Sequence, residues 1–180
     1  MSPRGLLERL ADFERRVRRL YLNLGDRSAF PAEVRFFWNC MAEDERHHLA
    51  ILERSAGLLD LMQSPLQVSE AKLNSVEETV AAAEAAIGQP EVSGDEAFQH
   101  ALSLEGSELN SLDEAWFRGF RPTLSSLLQA MTPEEEIHLG RLVEAVHAFS
   151  GDKALQERAA MLWTTYQQRK SGAFKTPPAN

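Results

Sequence analysis

The 180-residue chain has a single cysteine, Cys40, so it can form no internal disulfide and no paired-cysteine metal knuckle. It also lacks any long hydrophobic run. Stretches such as residues 81–87 are interrupted by charge well short of the roughly 18–20 apolar residues needed to cross a bilayer. The start, Met1-Ser2-Pro3-Arg4-Gly5, leads straight into a charged amphipathic pattern, with none of the apolar core of a signal peptide. Basic charge is scarce: 19 Lys and Arg against 27 Asp and Glu leave a net charge of -8, which argues against nucleic acid as a partner. These absences point to a protein of the reducing cytoplasm that engages neither membrane nor nucleic acid. What is present, 43% hydrophobic and 26% charged residues, is an ordinary globular balance, so the question is where the carboxylates sit.

Sustained strand-like alternation is missing, and apolar residues recur three or four apart nearly everywhere, which predicts helices. The first covers residues 2–24, with Ser2 as N-cap and Pro3 at the first helical position, and its apolar row is Leu6, Leu10, Phe13, Val17, Leu20 and Leu24. The second covers residues 31–62 and ends at Gln63-Ser64-Pro65-Leu66. The third, residues 69–87, is rich in Ala and Glu with a thin apolar row, and reads as a crossover element outside the core. A fourth follows Ser93-Gly94-Asp95 and stops at Gly119. A fifth runs from Pro122 to the break at Ser150-Gly151-Asp152, and a sixth covers residues 153–170. Two helix pairs with short internal turns, joined by a long connection, describe an all-α bundle over residues 1–170, followed by a tail, 171–180, of disordered composition.

The second and fifth helices share a local repeat. Met41, Glu45, His48 and Leu49 coincide in spacing with Met131, Glu135, His138 and Leu139. In each copy a Glu lies three residues before a His, so both side chains leave the same helical face. That face is the apolar one: Trp38, Met41, Glu45, His48, Leu52 in one helix and Leu128, Met131, Glu135, His138, Leu142, Ala145, Phe149 in the other keep steps of three and four. The partner helices place carboxylates on their own apolar stripes. Glu14 falls between Leu10 and Val17, and Glu105 and Glu108 fall between Leu102 and Leu112. Counting to the turns, Glu14 to Gly25 and Glu108 to Gly119 are both 11 residues, which puts Glu108 level with Glu14.

Uncompensated charges in a bundle interior cost several kcal/mol each, comparable with the whole stability of a domain. No Lys or Arg falls on these rows, so the expected counterion is a metal, and an oxygen-plus-imidazole donor set suits iron or manganese. One Glu from each of two helices plus Glu-x-x-His from each of the other two is a donor set known from carboxylate-bridged dinuclear bundles. Four Glu at -4 would be balanced by two divalent ions at +4.

On Glu14, Glu45-x-x-His48, Glu105-x-x-Glu108 and Glu135-x-x-His138, residues 2–150 resemble the ferritin-like di-iron carboxylate proteins, and within them the rubrerythrins. The resemblance implies a ferritin-like four-helix bundle with one long crossover containing an extra helix, plus a C-terminal helix. It implies two iron ions, with manganese or a mixed pair fitting the same donors, and reduction of hydrogen peroxide or dioxygen in the context of oxidative stress. The paired Glu105 and Glu108 favour rubrerythrin, where the extra carboxylate lets one iron exchange a His ligand with redox state; alignment makes Glu105 the basic ligand, against the turn count. Tyr21, seven residues after Glu14, matches a tyrosine that bonds a ligating carboxylate there, and is the one candidate catalytic residue outside the ligand set. Rubrerythrins usually carry a four-cysteine iron domain, which Cys40 alone cannot supply, so electrons would come from a separate donor protein. A second tyrosine expected on the fourth helix is replaced by the neighbourhood of Asp113 and Trp116. A homodimer or larger homo-oligomer is expected. Other functions of the same superfamily, ferritin-type iron oxidation and storage or substrate hydroxylation, are the alternatives.

Pro133, two residues before Glu135, either kinks the fifth helix or opens a new one at Thr132-Pro133-Glu134-Glu135. His47 points about one hundred degrees away from His48 and is read as solvated, as are His100 and His147. The run Arg15-Arg16-Val17-Arg18-Arg19 is read as the wet face of the first helix. If the buried carboxylates are neutralised by metal, they account for about four or five units of the net charge, and the outer surface is only mildly acidic.

Overall fold

In a computed structural model the backbone is described for residues 3–56, 70–119 and 122–173, and the side chains for 4–54, 70–107 and 134–171. The N-cap at Ser2, the end of the second helix beyond Ala56, the break at residues 63–66 and the tail from 174 lie outside the described residues. The protein is all-α. Six helices follow one another, α1 (Pro3–Gly25), α2 (Ala32–Ala56), α3 (Glu70–Ile87), α4 (Gly94–Gly119), α5 (Pro122–Phe149) and α6 (Lys153–Ala173), with no strand among the described residues. None of the described helices is long and apolar enough to cross a membrane.

α1 buries the row read from its sequence, from Leu6 through Leu24, and packs along most of its length on α2. The two are joined by a tight turn. Asp26 N–H donates to Leu22 O at 3.0 Å, and Arg35 N–H returns to Pro31 O at 3.0 Å as α2 begins. A Cβ at Gly25 would stand 2.7 Å from the Asn39 amide oxygen, so the exposed Asn39 side chain lies close over this turn and would have to turn aside for a larger residue. Between these helices Trp38 packs on Phe37, Phe98 and the ring of Tyr21, making a dense aromatic floor.

α3 departs from the expectation. Its sparse row Leu73, Val76, Val80, Ala83, Ile87, spaced three and four apart, is buried and belongs to the main core between α1 and α4. In the Arg15–Arg19 run, Arg15 and Arg19 are exposed, and Arg16 pairs with acidic neighbours on α3: its guanidinium binds Glu84 at 2.7 and 3.0 Å and Glu77 at 2.5 Å. Arg27 satisfies the carbonyls of Ile87, Gln89 and Pro90 where α3 ends.

α4 opens with a reciprocal cap, Glu96 N–H to Ser93 Oγ at 3.2 Å and Ser93 N–H to Glu96 Oε2 at 2.9 Å. α5 runs as one helix through Pro133, so the reading of two helices does not hold. Its buried stripe is Leu139, Leu142, Ala145 and Val146, whereas Phe149, expected in the row, is 44% exposed. α6, capped by Asp152 accepting from Ala154 N–H at 2.8 Å, packs on α4 and α5 and forms a small second core of Leu139 and Tyr166 with Leu162 and Trp163. α2 also packs on α5, so α1, α2, α4 and α5 surround one interior.

Candidate metal centre

The apolar rows carry polar groups into that interior as the sequence indicates. Glu14, Glu45, His48, Glu105 and His138 are all buried, coming from α1, α2, α4 and α5. Glu135 joins them at the edge, with 28% of its side chain exposed. The side chains of Glu108 and Trp116 lie outside the described residues, so the level that the turn count gives Glu108 is not described; Glu105, the ligand that the alignment favours, reaches the cluster.

Two groups of donors form, Glu14, Glu45 and His48 on one side and Glu45, Glu105 and His138 on the other, with Glu45 common to both. His48 Nδ1 lies 3.2 Å from Glu45 Oε2 and 3.7 Å from Glu14 Oε2, and its Nε2 is 3.7 Å from Glu135 Oε2. His138 Nε2 lies 3.3 Å from Glu45 Oε1 and 3.1 Å from Glu105 Oε1. Donors that share an ion at about 2.1 Å and at angles between square and tetrahedral stand about 3.0–3.4 Å apart. The observed separations fall in or near that range. Orientation supports the same conclusion, since Glu14 Oε2, His48 Nε2 and His138 Nε2 are buried without a hydrogen-bond partner among the described residues. Carboxylate oxygens flank the His138 nitrogen closely but off its bonding axis, an arrangement expected of ligands converging on a common ion. The two groups could therefore hold metal ions.

Around the donors stands a supporting layer. Tyr21, fully buried, donates its hydroxyl to Glu105 Oε1 at 2.6 Å, and its ring lies 5.5 Å from that of Trp38. Asp44 Oδ2 stands 3.2 Å from His138 Nδ1 and also accepts from the Arg141 guanidinium. The sequence reading missed this pair, although Asp44 directly precedes Glu45 and Arg141 follows His138 by three, one turn along the same edge of α5. Arg141, which is not on the apolar row, reaches the edge of the site through Asp44. His47 is exposed, His147 is exposed and His100 is half-buried; Cys40 is half-buried.

The electrostatics without metal show how strained the charge balance is. Burial alone would lower the His48 imidazole, but the neighbouring Glu14 and Glu45 carboxyls, the latter hydrogen-bonded to it, hold it well above its ordinary value. Burial likewise opposes charge on His138, and the nearby Glu105 and Glu45 raise it well above normal. Burial, then the neighbouring Glu14 charge, pushes the Glu45 carboxyl well up. Burial also raises Glu135, against the pull of His48 and His138. Glu14 is the exception: burial would raise it, but the close His48 imidazole, with His138 further off, keeps it below its ordinary value. Protons thus take the place that divalent cations would fill, and both solve the same problem of four crowded carboxylates. Comparison of the chain with protein-family models, with curated proteins and with solved structures found no match.

Proposed function

We propose that this chain is a ferritin-like di-iron carboxylate protein of rubrerythrin type, which reduces hydrogen peroxide or dioxygen with electrons from a separate donor protein. The observation that carries the reading is the set of three buried donor atoms, Glu14 Oε2, His48 Nε2 and His138 Nε2, that have no hydrogen-bond partner among the described residues amid crowded carboxylates. Iron is the choice because the donors are oxygen and imidazole with no thiolate, and because redox chemistry needs a metal with two accessible oxidation states. Bound there, two iron ions would supply the two electrons that reduce a peroxide O–O bond.

The chain's own residues have separable tasks. Glu45, in both donor groups, sets the spacing of the two positions, with Glu14 and Glu105 closing either end. Tyr21 fixes the rotamer of Glu105 and is fully shielded from water. Trp38, Met41 and Leu142, all fully buried, seal the site and leave Glu135 as the most exposed of its carboxylates, so a small oxidant would approach from that side. The donor protein supplies electrons that a single half-buried Cys40 cannot. The test is anaerobic addition of hydrogen peroxide to iron-loaded, reduced protein. Stoichiometric peroxide consumption with a change in visible absorption is expected; a loaded, reduced protein inert to both peroxide and dioxygen overturns the proposal.

A further inference from the structure

His48 and His138 hold matching positions, each three residues after a Glu, but only one ring is tied from behind. We infer that the two metal positions are unequal: Asp44 and Arg141 preset the one at His138 for tight binding, whereas the one at His48 binds its ion more weakly and exchanges it. This rests on the metal-centre reading proposed above.

At His138 the far nitrogen, Nδ1, lies 3.2 Å from Asp44 Oδ2. A carboxylate has no proton to give, so this hydrogen bond uses a proton on Nδ1 and leaves Nε2, beside Glu45 and Glu105, as the nitrogen that ligates once an ion displaces its proton. Asp44 cannot swing away, because Arg141 from the next turn of α5 holds the same oxygen. One carboxylate from α2 is thus gripped by two α5 groups, and the imidazole is fixed in both tautomer and rotation before any ion arrives.

At His48 no such tie exists. Its nitrogens face Glu14, Glu45 and Glu135, all members of the donor set, and among the described residues no carboxylate outside that set pairs with it. The positional counterpart of Asp44 is Glu134, which precedes Glu135 as Asp44 precedes Glu45, and Glu134 is exposed. A proton on His48 Nδ1 bonds Glu45, so an ion must displace that bond and select the tautomer it needs. Glu135, facing His48 Nε2, is also the most exposed donor, at 28% against 8% or less for Glu14, Glu45, Glu105 and both imidazoles. Water therefore reaches the His48 side more readily, which favours exchange there.

Titrating metal-free protein with cobalt(II), an ion that does not react with air here, tests this by calorimetry and by its visible absorption. The parent protein should bind in two steps at least about tenfold apart in affinity. Asp44→Asn and Arg141→Gln should weaken the tighter step by about 10- to 100-fold and leave the weaker within about threefold; His48→Gln should abolish the weaker step and keep the tighter. General loss of structure would not separate the steps in this way. Two equal steps in the parent, or Asp44→Asn and Arg141→Gln affecting both steps alike or neither, overturn the inference while the metal centre stands. No cobalt bound by the parent overturns both.

Discussion

Replacing Tyr21 with phenylalanine removes one oxygen and leaves the packing of the aromatic floor intact. The ring is fully buried and stays stacked 5.5 Å from Trp38, so no cavity opens. What disappears is a 2.6 Å hydrogen bond to Glu105 Oε1, an atom that also stands 3.1 Å from His138 Nε2. Hydrogen bonds to charged groups contribute about 1.5–3 kcal/mol, and a buried acceptor stripped of its donor sits at the upper part of that range. Taking about 2 kcal/mol, and an unfolding entropy near 2.1 cal/mol/K per residue over 180 residues, Tm should fall by about 5 °C. Calorimetry and urea unfolding at neutral pH measure it, and the urea slope should not change because the buried area does not. A variant within about 0.5 kcal/mol of the parent would refute the hydrogen bond as a support of the site.

Loading with metal should stabilise the fold strongly, by about 4 kcal/mol for each ion present at a thousandfold excess over its Kd, so that chelation lowers Tm by about 10 °C per ion; an unchanged melting curve would contradict it. Metal-free protein should lose stability as pH rises. His48 and His138 are raised above 6.5 in the folded state, so their stabilisation is complete below 6.5 and disappears as pH climbs through their folded values; Glu45 and Glu135, raised above 4.5, act in the same direction. Metal-loaded protein should show the opposite slope near neutrality, because protons compete with the ions, and parallel curves for the two forms would refute the account. Arg16→Met should loosen α3 selectively: its partners Glu77 and Glu84 are 41% and 37% exposed, so solvent screening limits the loss to about 1 kcal/mol, read as faster hydrogen exchange across Glu70–Ile87 with the other helices unchanged. Exchange accelerated equally everywhere would tell against the clamp. Glu84, held below 4.5 chiefly by Arg16, should lose its share of that stability as pH falls below 4.5.

Much of this was legible in the residue pattern because the site breaks a rule. Glu14, Glu45, His48, Glu105 and His138 stand where helical periodicity requires apolar residues, and they are buried together. Periodicity says little about flanks. Asp44 and Arg141 lie where a helix edge reads as solvent-facing, and only the packing of α2 on α5 turns them toward His138. The same limit explains Phe149: a stripe drifts around a straight helix, so Val146 takes the buried position and Phe149 turns outward. α3 was misread for another reason. Its Ala83 and short row look too thin for a core, yet the row from Leu73 to Ile87 is buried. Spacing alone puts Glu105 and Glu108 on one stripe, and it is the Tyr21 hydroxyl that shows Glu105 reaching the interior.

The most direct test is metal content per chain after anaerobic loading with ferrous iron and removal of excess. The account predicts two irons in the parent protein and loss of both from a Glu45→Ala, His138→Ala double variant that remains helical by circular dichroism. A parent protein that retains no iron, or a double variant that still holds two, would contradict the central claim that these buried groups form a dinuclear metal centre.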